Sequence, residues 1–176
     1  MDKFNIIAEQ EHTTVMAHYE ALPREDNGYQ SEAALEAAFI KQLTEQGYER
    51  VNITKEKDLL ANLRQQMNRL NGLTLSDSEW KRLFEQHIAS PQMTIEDKTE
   101  RIQKTEIVNI TLDNGNSQNI KLIDKKNIHN NHLQVLNQYV PEGGAKENRY
   151  DVTILVNGLP LVHCELKKRG VPLKEA

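Results

Sequence analysis

The dipeptide Asn157-Gly158 stands between two apolar, β-branched stretches, Tyr150–Leu155 and Leu159–Lys167. Alternating strands on either side of an Asn-Gly pair are the strongest short-range signal for a tight antiparallel hairpin. Two loop lengths compete for it. A two-residue Asn157-Gly158 loop pairs Val156 with Leu159 and Asp151 with Cys164, which sends Asp151 and Glu165 to opposite faces. A three-residue loop, Val156-Asn157-Gly158, pairs Leu155 with Leu159 and Asp151 with His163. Gly158 then fills the left-handed position of a bulged hairpin, and Asp151 and Glu165 become diagonal neighbours on one face. We expect the three-residue loop.

Upstream of the hairpin the pattern is helical. Ser31 to Gln46 reads as a helix, with Ser31 at the N-cap, Glu32 and Glu36 at the positive end of the dipole, Gly47 as the stop, and Leu35, Phe39 and Leu43 as its buried stripe. Tyr48 to Thr54 alternates like a short strand. A second helix covers Glu56 to Asn71, closed by Gly72, and Ser76-Asp-Ser-Glu79 is a capping box that opens a third through Trp80 and Phe84 to Ile88, with Pro91 past its end. From residue 104 the character becomes β-rich, with a turn at Asp113-Asn-Gly115, a strand at Leu133 to Val140 and a break at Glu142-Gly143-Gly144. Helices first and strands second indicate a mixed α/β (α+β) domain, preceded by an arm over residues 1–28 that ends in a turn-rich Pro23–Gly28 segment.

Several function classes are disfavoured. One cysteine, Cys164, excludes an internal disulfide and a multi-cysteine zinc site, and reads as a buried apolar filler. No membrane span or signal peptide is visible, so a cytoplasmic protein is the expectation. A net charge of −4 argues against a stand-alone DNA binder, which would be basic overall. His129 and His132 lie isolated in an Asn-rich stretch, and Trp80 with Phe84 reads as a core pair.

Chemistry concentrates at the open end of the final hairpin, where Asp151, Glu165 and Lys167 interrupt otherwise apolar strands. An unpaired buried carboxylate costs several kcal/mol on the order of polar-burial penalties, and a metal ion would remove that cost. Carboxylate oxygens are hard ligands suited to Mg²⁺, whose octahedral shell is completed by water and phosphate. Lys167 is placed to orient a water or to stabilise charge at phosphorus, and the main-chain carbonyl of Leu166 is a further candidate ligand. On residue types alone a solvated strand end, leaving through Lys167-Lys168-Arg169, explains the same charges.

The pattern Asp…Glu-x-Lys on adjacent strands resembles the PD-(D/E)xK nuclease motif. The longer string Arg149-Tyr-Asp-Val-Thr-Ile-Leu-Val-Asn-Gly-Leu-Pro-Leu-Val162 followed by Glu165-Leu-Lys167 resembles the N-terminal nuclease region of type I restriction enzyme motor (R) subunits, nearest the type IC branch. Tyr29-Gln-Ser-Glu32, Gln46-Gly-Tyr48, Asn71-Gly, Asp77-Ser-Glu-Trp80, Asp97-Lys-Thr and Ile123-Asp-Lys-Lys-Asn127 extend that resemblance over most of the chain. It implies a restriction-endonuclease-like core at 29–176, a twisted mixed sheet flanked by helices. Asp151 and Glu165 become metal ligands and Lys167 the catalytic lysine. It also implies an acidic residue on the first helix, for which Glu32 is the better match and Glu36 the weaker, dipole stabilisation being the alternative for both. Tyr150 stands where the motif has proline, which supplies no ligand.

The same resemblance implies Mg²⁺ as cofactor, ATP only through motor domains not seen here, and as partners double-stranded DNA with the specificity and modification (methyltransferase) subunits. No G-x-x-x-x-G-K-S/T loop occurs, and a Gln-x-x-x-Tyr element expected after the hairpin is absent, so the chain is expected to be a C-terminally truncated domain. The rival from another class is a non-catalytic docking module that holds partner subunits. A self-sufficient repair nuclease would need a basic groove, which the composition opposes.

Overall fold

The computed structural model describes residues 3–8, 16–20, 31–90, 92–139 and 150–167. The expected turns at Pro23–Gly28 and Glu142–Gly144, and the basic exit at Lys168-Arg169, lie outside them. The chain divides into two compact units, Met1–Ser31 and Glu32–Ala176. The first contains an antiparallel pair, β1 (Lys3–Ala8) and β2 (Met16–Glu20).

The second unit opens with α1 (Glu32–Glu45). It ends as Gly47 takes a φ of 94°, with Gly47 N–H bonding to Thr44 O and Tyr48 N–H reaching back to Leu43 O. These two bonds form a Schellman cap, which a left-handed glycine makes cheaply. The buried stripe is the expected one in part: Leu43 is buried and the half-buried Phe39 packs beside it, but Ile40 rather than the half-buried Leu35 completes it. The face toward the sheet runs 36, 39, 40 and 43, and Glu36 enters it because side-chain amides of a strand bond to its carboxylate.

Strand β3 is shorter than expected, Glu49–Arg50 alone, because after Val51 N–H bonds to Val135 O the chain turns into α2 (Glu56–Asn71). That helix is as expected, closed by Gly72 at φ 62°. The Ser76–Glu79 capping box opens α3 (Asp77–Leu83), which continues as a π-helical turn over Phe84–Ile88. Trp80 and Phe84 pack at 5.7 Å between ring centroids, within the core. Helix α4 (Ile95–Lys104) was not foreseen. It carries little apolar periodicity, and Ile95 is 79% exposed, but its Thr94–Asp97 capping box was readable.

Strands β4 (Ile107–Thr111) and β5 (Ser117–Lys121) form the hairpin around Asp113-Asn-Gly115. Strands β6 (Leu133–Tyr139), β7 (Tyr150–Val156) and β8 (Leu159–Cys164) complete a mixed sheet in the order β3-β6-β7-β8, with β3 parallel to β6 and the rest antiparallel. Helix α1 covers one face, Ile40 and Leu43 meeting Val135 and Val152. On the other face Leu59 and Ile53 meet Leu136 and Leu155. A third cluster joins Leu63 and Met67 of α2 to Leu83, to Val108 and Ile120 of the β4–β5 hairpin, and to Leu159. Each such buried Leu, Ile or Met removes enough apolar surface from water to contribute about 1.5–3 kcal/mol before entropy is counted. The domain is thus mixed α/β, a sheet with helices on both faces. Among the described residues no helix is long and apolar enough to cross a membrane.

Asp113 ties the β4–β5 turn to the start of α3. Its carboxylate accepts from Ser76, from Ser78 Oγ at 2.7 Å and from Arg82 Nη2 at 2.6 Å, and its N–H bonds to Glu79. Hydrogen bonds from Ser76, Arg82 and Ser78 lower its pKa from 3.8 to about 2. A carboxyl with a depressed folded pKa contributes stability above its unfolded value and loses it as pH falls through the folded one. The thermal-midpoint gap between the parent and Asp113→Asn should therefore be widest above about pH 4 and close by about pH 2. A gap independent of pH would contradict this.

Candidate functional site

The hairpin loop differs from expectation. Val156 pairs with Leu159, so the loop is the two residues Asn157-Gly158, at φ 51° and 80°. Positive φ at both positions is the type I′ turn, whose twist matches the strands, and asparagine tolerates it better than other side-chain-bearing residues. The Asn157 side chain is also fully engaged. Its Oδ1 accepts His132 N–H at 2.8 Å, and its Nδ2 donates to Leu122 O at 3.2 Å and to Asn131 Oδ1 at 2.8 Å. Gly158 lies against α2 so closely that a Cβ there would stand 2.6 Å from Leu63 Cα.

A bulge then changes the register. Leu155 faces Pro160, but Ile154 faces Val162, so Leu161 is the extra residue, and Thr153 pairs with His163 and Val152 with Cys164. Extended by one step, that register sets Asp151 level with Glu165. The parity that a plain two-residue loop would have broken is restored by the bulge as far as the Val152–Cys164 pair, so Asp151 lies on the face of Thr153 and His163, toward which the continued register directs Glu165. The bulge was not foreseen. Strand β8 also ends at Cys164 rather than at Lys167, so Glu165, Leu166 and Lys167 follow the strand as irregular chain.

One hydrogen bond ties this segment to β7 and a second lies within it. Leu166 N–H donates to Asp151 Oδ2 at 2.7 Å, and Lys167 Nζ donates to Glu165 Oε1 at 2.7 Å. The Lys167 ammonium is held above the ordinary lysine range, first by that bond to Glu165 and then by the charges of Glu165, Glu32 and Asp151, against a desolvation penalty. Glu32 on α1 thus sits in the field of the cluster. Glu36 does not join it in the same way: its Oε1 accepts Asn137 Nδ2 at 2.8 Å and its Oε2 accepts Gln138 Nε2 at 3.4 Å. On the opposite side of the segment, Cys164 and Leu166 pack with Val135 and Val152, and burial raises the Cys164 thiol pKa, as befits an apolar filler.

Among the described residues no group of three or more His, Cys, Asp or Glu side chains closes on a single point. The residues that could hold a metal here are Asp151 and Glu165, with the main-chain carbonyl of Leu166 as a further candidate. That suits Mg²⁺, which commonly takes one or two carboxylates and fills its shell with water and substrate phosphate, and it does not suit a closed all-protein cage. His163, expected beside the site, meets Thr153 Oγ1 through Nδ1 at 3.0 Å. One group escaped sequence reasoning. Asp124, buried, accepts from Lys121 Nζ, Asn127 N–H and Asn130 Nδ2, while Asn131 bonds to its backbone; it organises the loop that supports Asn157. The Asp-Lys-Lys-Asn string around it was the available signal.

Asp151, Glu165 and Lys167 thus gather at the open end of the final hairpin of a mixed α/β sheet, and comparison with known proteins gives the family. The family model described as "Type I restriction enzyme R protein N terminus" matches residues 29–176. The endonuclease subunit of type I restriction enzyme EcoprrI from Escherichia coli is 41% identical over 171 residues, covering 97% of this chain and 54% of that protein. The SauMSSORF170P endonuclease subunit of Staphylococcus aureus is 40% identical over 157 residues, and the SsaAORF53P subunit of Staphylococcus saprophyticus 37%, each over 84% of this chain and 16% of the relative. The chain belongs to the family of type I restriction enzyme R protein N-terminal regions. It spans about half the length of the first of these relatives and about a sixth of the other two.

Proposed function

We propose that this chain is the DNA-cleaving domain of a type I restriction enzyme, with Asp151 and Glu165 as ligands for Mg²⁺ and Lys167 as the catalytic lysine. The observation that carries the reading is the single cluster formed by Asp151, the Glu165–Lys167 pair and Leu166 N–H. A divalent cation bound there would supply Lewis-acid polarisation of the scissile phosphate and a more acidic attacking water.

The chain's own groups do the rest. Leu166 N–H fixes one oxygen of Asp151 and leaves the other for a ligand role. Glu165 holds Lys167 through one oxygen and the first ammonium donor, and two donors remain for a phosphate oxygen or the attacking water. Lys167, held by Glu165, acts as a donor and electrostatic stabiliser. Double-stranded DNA is the substrate. The specificity and modification subunits, with ATP-driven motor domains, bring that DNA to a domain whose own net charge is −4. Cleavage of unmodified plasmid by the assembled enzyme, abolished by EDTA and restored by Mg²⁺, tests this reading; cleavage in EDTA would refute it.

The docking reading has one observation in its favour. An apolar cleft of about 470 Å³ runs between α2, the π-helical turn, α4 and the start of β8, and Leu60, Ile88, Ile102 and Leu161 help to line it. If docking were the whole function, Leu161→Glu would break subunit assembly, while replacing Asp151, Glu165 or Lys167 would cost nothing.

A further inference from the structure

Strand β6 changes conformation directly across from Asp151. Asn137 pairs with Val152 and Tyr139 with Tyr150, so Gln138 is the residue level with Asp151, and that one rung is missing from the ladder. Gln138 takes φ 55°, and among the described non-glycine residues only Asn157 shares a positive φ. The kink reverses the alternation of the strand. Leu136 and Tyr139, three residues apart, pack in one cluster on the α2 side of the sheet, while Val135 packs with α1. A glutamine has no intrinsic reason to enter the left-handed region, so something must hold it there. The partner is Glu36 of α1, which receives Asn137 Nδ2 on one oxygen and Gln138 Nε2 on the other.

We propose that Glu36 is a positioning residue rather than a metal ligand: by gripping Asn137 and Gln138 it fixes the left-handed kink of β6 and so sets where the Asp151 carboxylate stands for the divalent metal. The inference rests on the nuclease reading above. Non-glycine residues held in the left-handed region are concentrated at functional sites, where the surrounding structure fixes them. It also separates two glutamates that the resemblance left as alternatives. Both oxygens of Glu36 are committed to side-chain amides of β6, whereas Glu32 contributes its charge at Lys167.

The test is Mn²⁺ affinity by calorimetry on this 176-residue chain, with circular dichroism and the thermal midpoint recorded for every variant. Glu36→Ala is expected to weaken Mn²⁺ binding about tenfold, the usual lower bound for a lost supporting partner. Glu36→Gln is expected to restore it to within about twofold, because an amide oxygen still accepts from Asn137 and the Gln138 amide can flip to accept in turn. Gln138→Val, which leaves Glu36 intact but resists positive φ, is expected to weaken binding as Glu36→Ala does. That variant carries the test if Glu36→Ala fails to fold. Equal loss in Glu36→Gln and Glu36→Ala would make Glu36 a ligand and overturn the inference, as would parent-like affinity in Gln138→Val. No Mn²⁺ binding by the folded parent would remove the nuclease reading itself, and the inference with it. Binding that is lost in Asp151→Ala but untouched in all three variants would remove only the inference.

Discussion

Gly158→Ala is expected to destabilise the domain by about 3 kcal/mol or more, among the larger effects a single methyl group can have. Two costs combine. The residue sits at φ 80°, where an L side chain is strained, and the new Cβ would stand 2.6 Å from Leu63 Cα, a backbone atom of α2 that cannot swing aside. Relief requires the hairpin to lift from the helix. Lifting would pull Asn157 from its bonds to His132, Leu122 and Asn131, and Leu159 from the cluster around Leu63. Gly72→Ala is the control, because Gly72 shares the positive φ but a Cβ there would meet nothing within 4 Å. It should cost about 1 kcal/mol. Urea unfolding at unchanged slope measures both, and equal losses in the two variants would show that the close approach to Leu63 contributes nothing.

In the assembled enzyme, Lys167→Ala is expected to reduce DNA cleavage on the order of 10²–10³-fold, the usual cost of removing a preorganised donor to developing charge. Asp151→Ala and Glu165→Ala should fall further, to background, since each removes half of the carboxylate set. Glu165→Ala also releases Lys167, so the double variant Glu165→Ala/Lys167→Ala should be little worse than Glu165→Ala alone. Single-turnover cleavage of plasmid DNA at saturating Mg²⁺ measures this, with subunit assembly followed in parallel. Near-parent cleavage by any of the three single variants would contradict the roles assigned to these residues.

Much of the fold is legible in the sequence because its signals are local. The Glu56–Asn71 helix with Gly72, the capping box at Ser76 and the turn at Asp113-Asn-Gly115 each depend on a few adjacent residues. Where distant contacts decide, the sequence misleads. Asn157-Gly158 suits the two-residue loop that forms, but a three-residue loop is what places Asp151 and Glu165 on one face as long as the downstream bulge is not visible. The bulge at Leu161, which sets the relation of Asp151 to Glu165, has no glycine to announce it. On α1, periodicity favours Leu35 for the buried face and gives no sign of Glu36 there, because its partners Asn137 and Gln138 lie far along the chain. Of the candidate site, the identities Asp151, Glu165 and Lys167 are readable from the motif. The hydrogen bond from Leu166 N–H to Asp151 is not, since it depends on β8 ending at Cys164.

The central claim is that Asp151 and Glu165 together hold a divalent metal, and a calorimetric Mn²⁺ titration of this chain beside Asp151→Ala and Glu165→Ala tests it most directly. The expected result is one saturable site in the parent and its loss in both variants, with circular dichroism unchanged. A parent that is folded but binds no Mn²⁺, or a site that survives both substitutions, would contradict it.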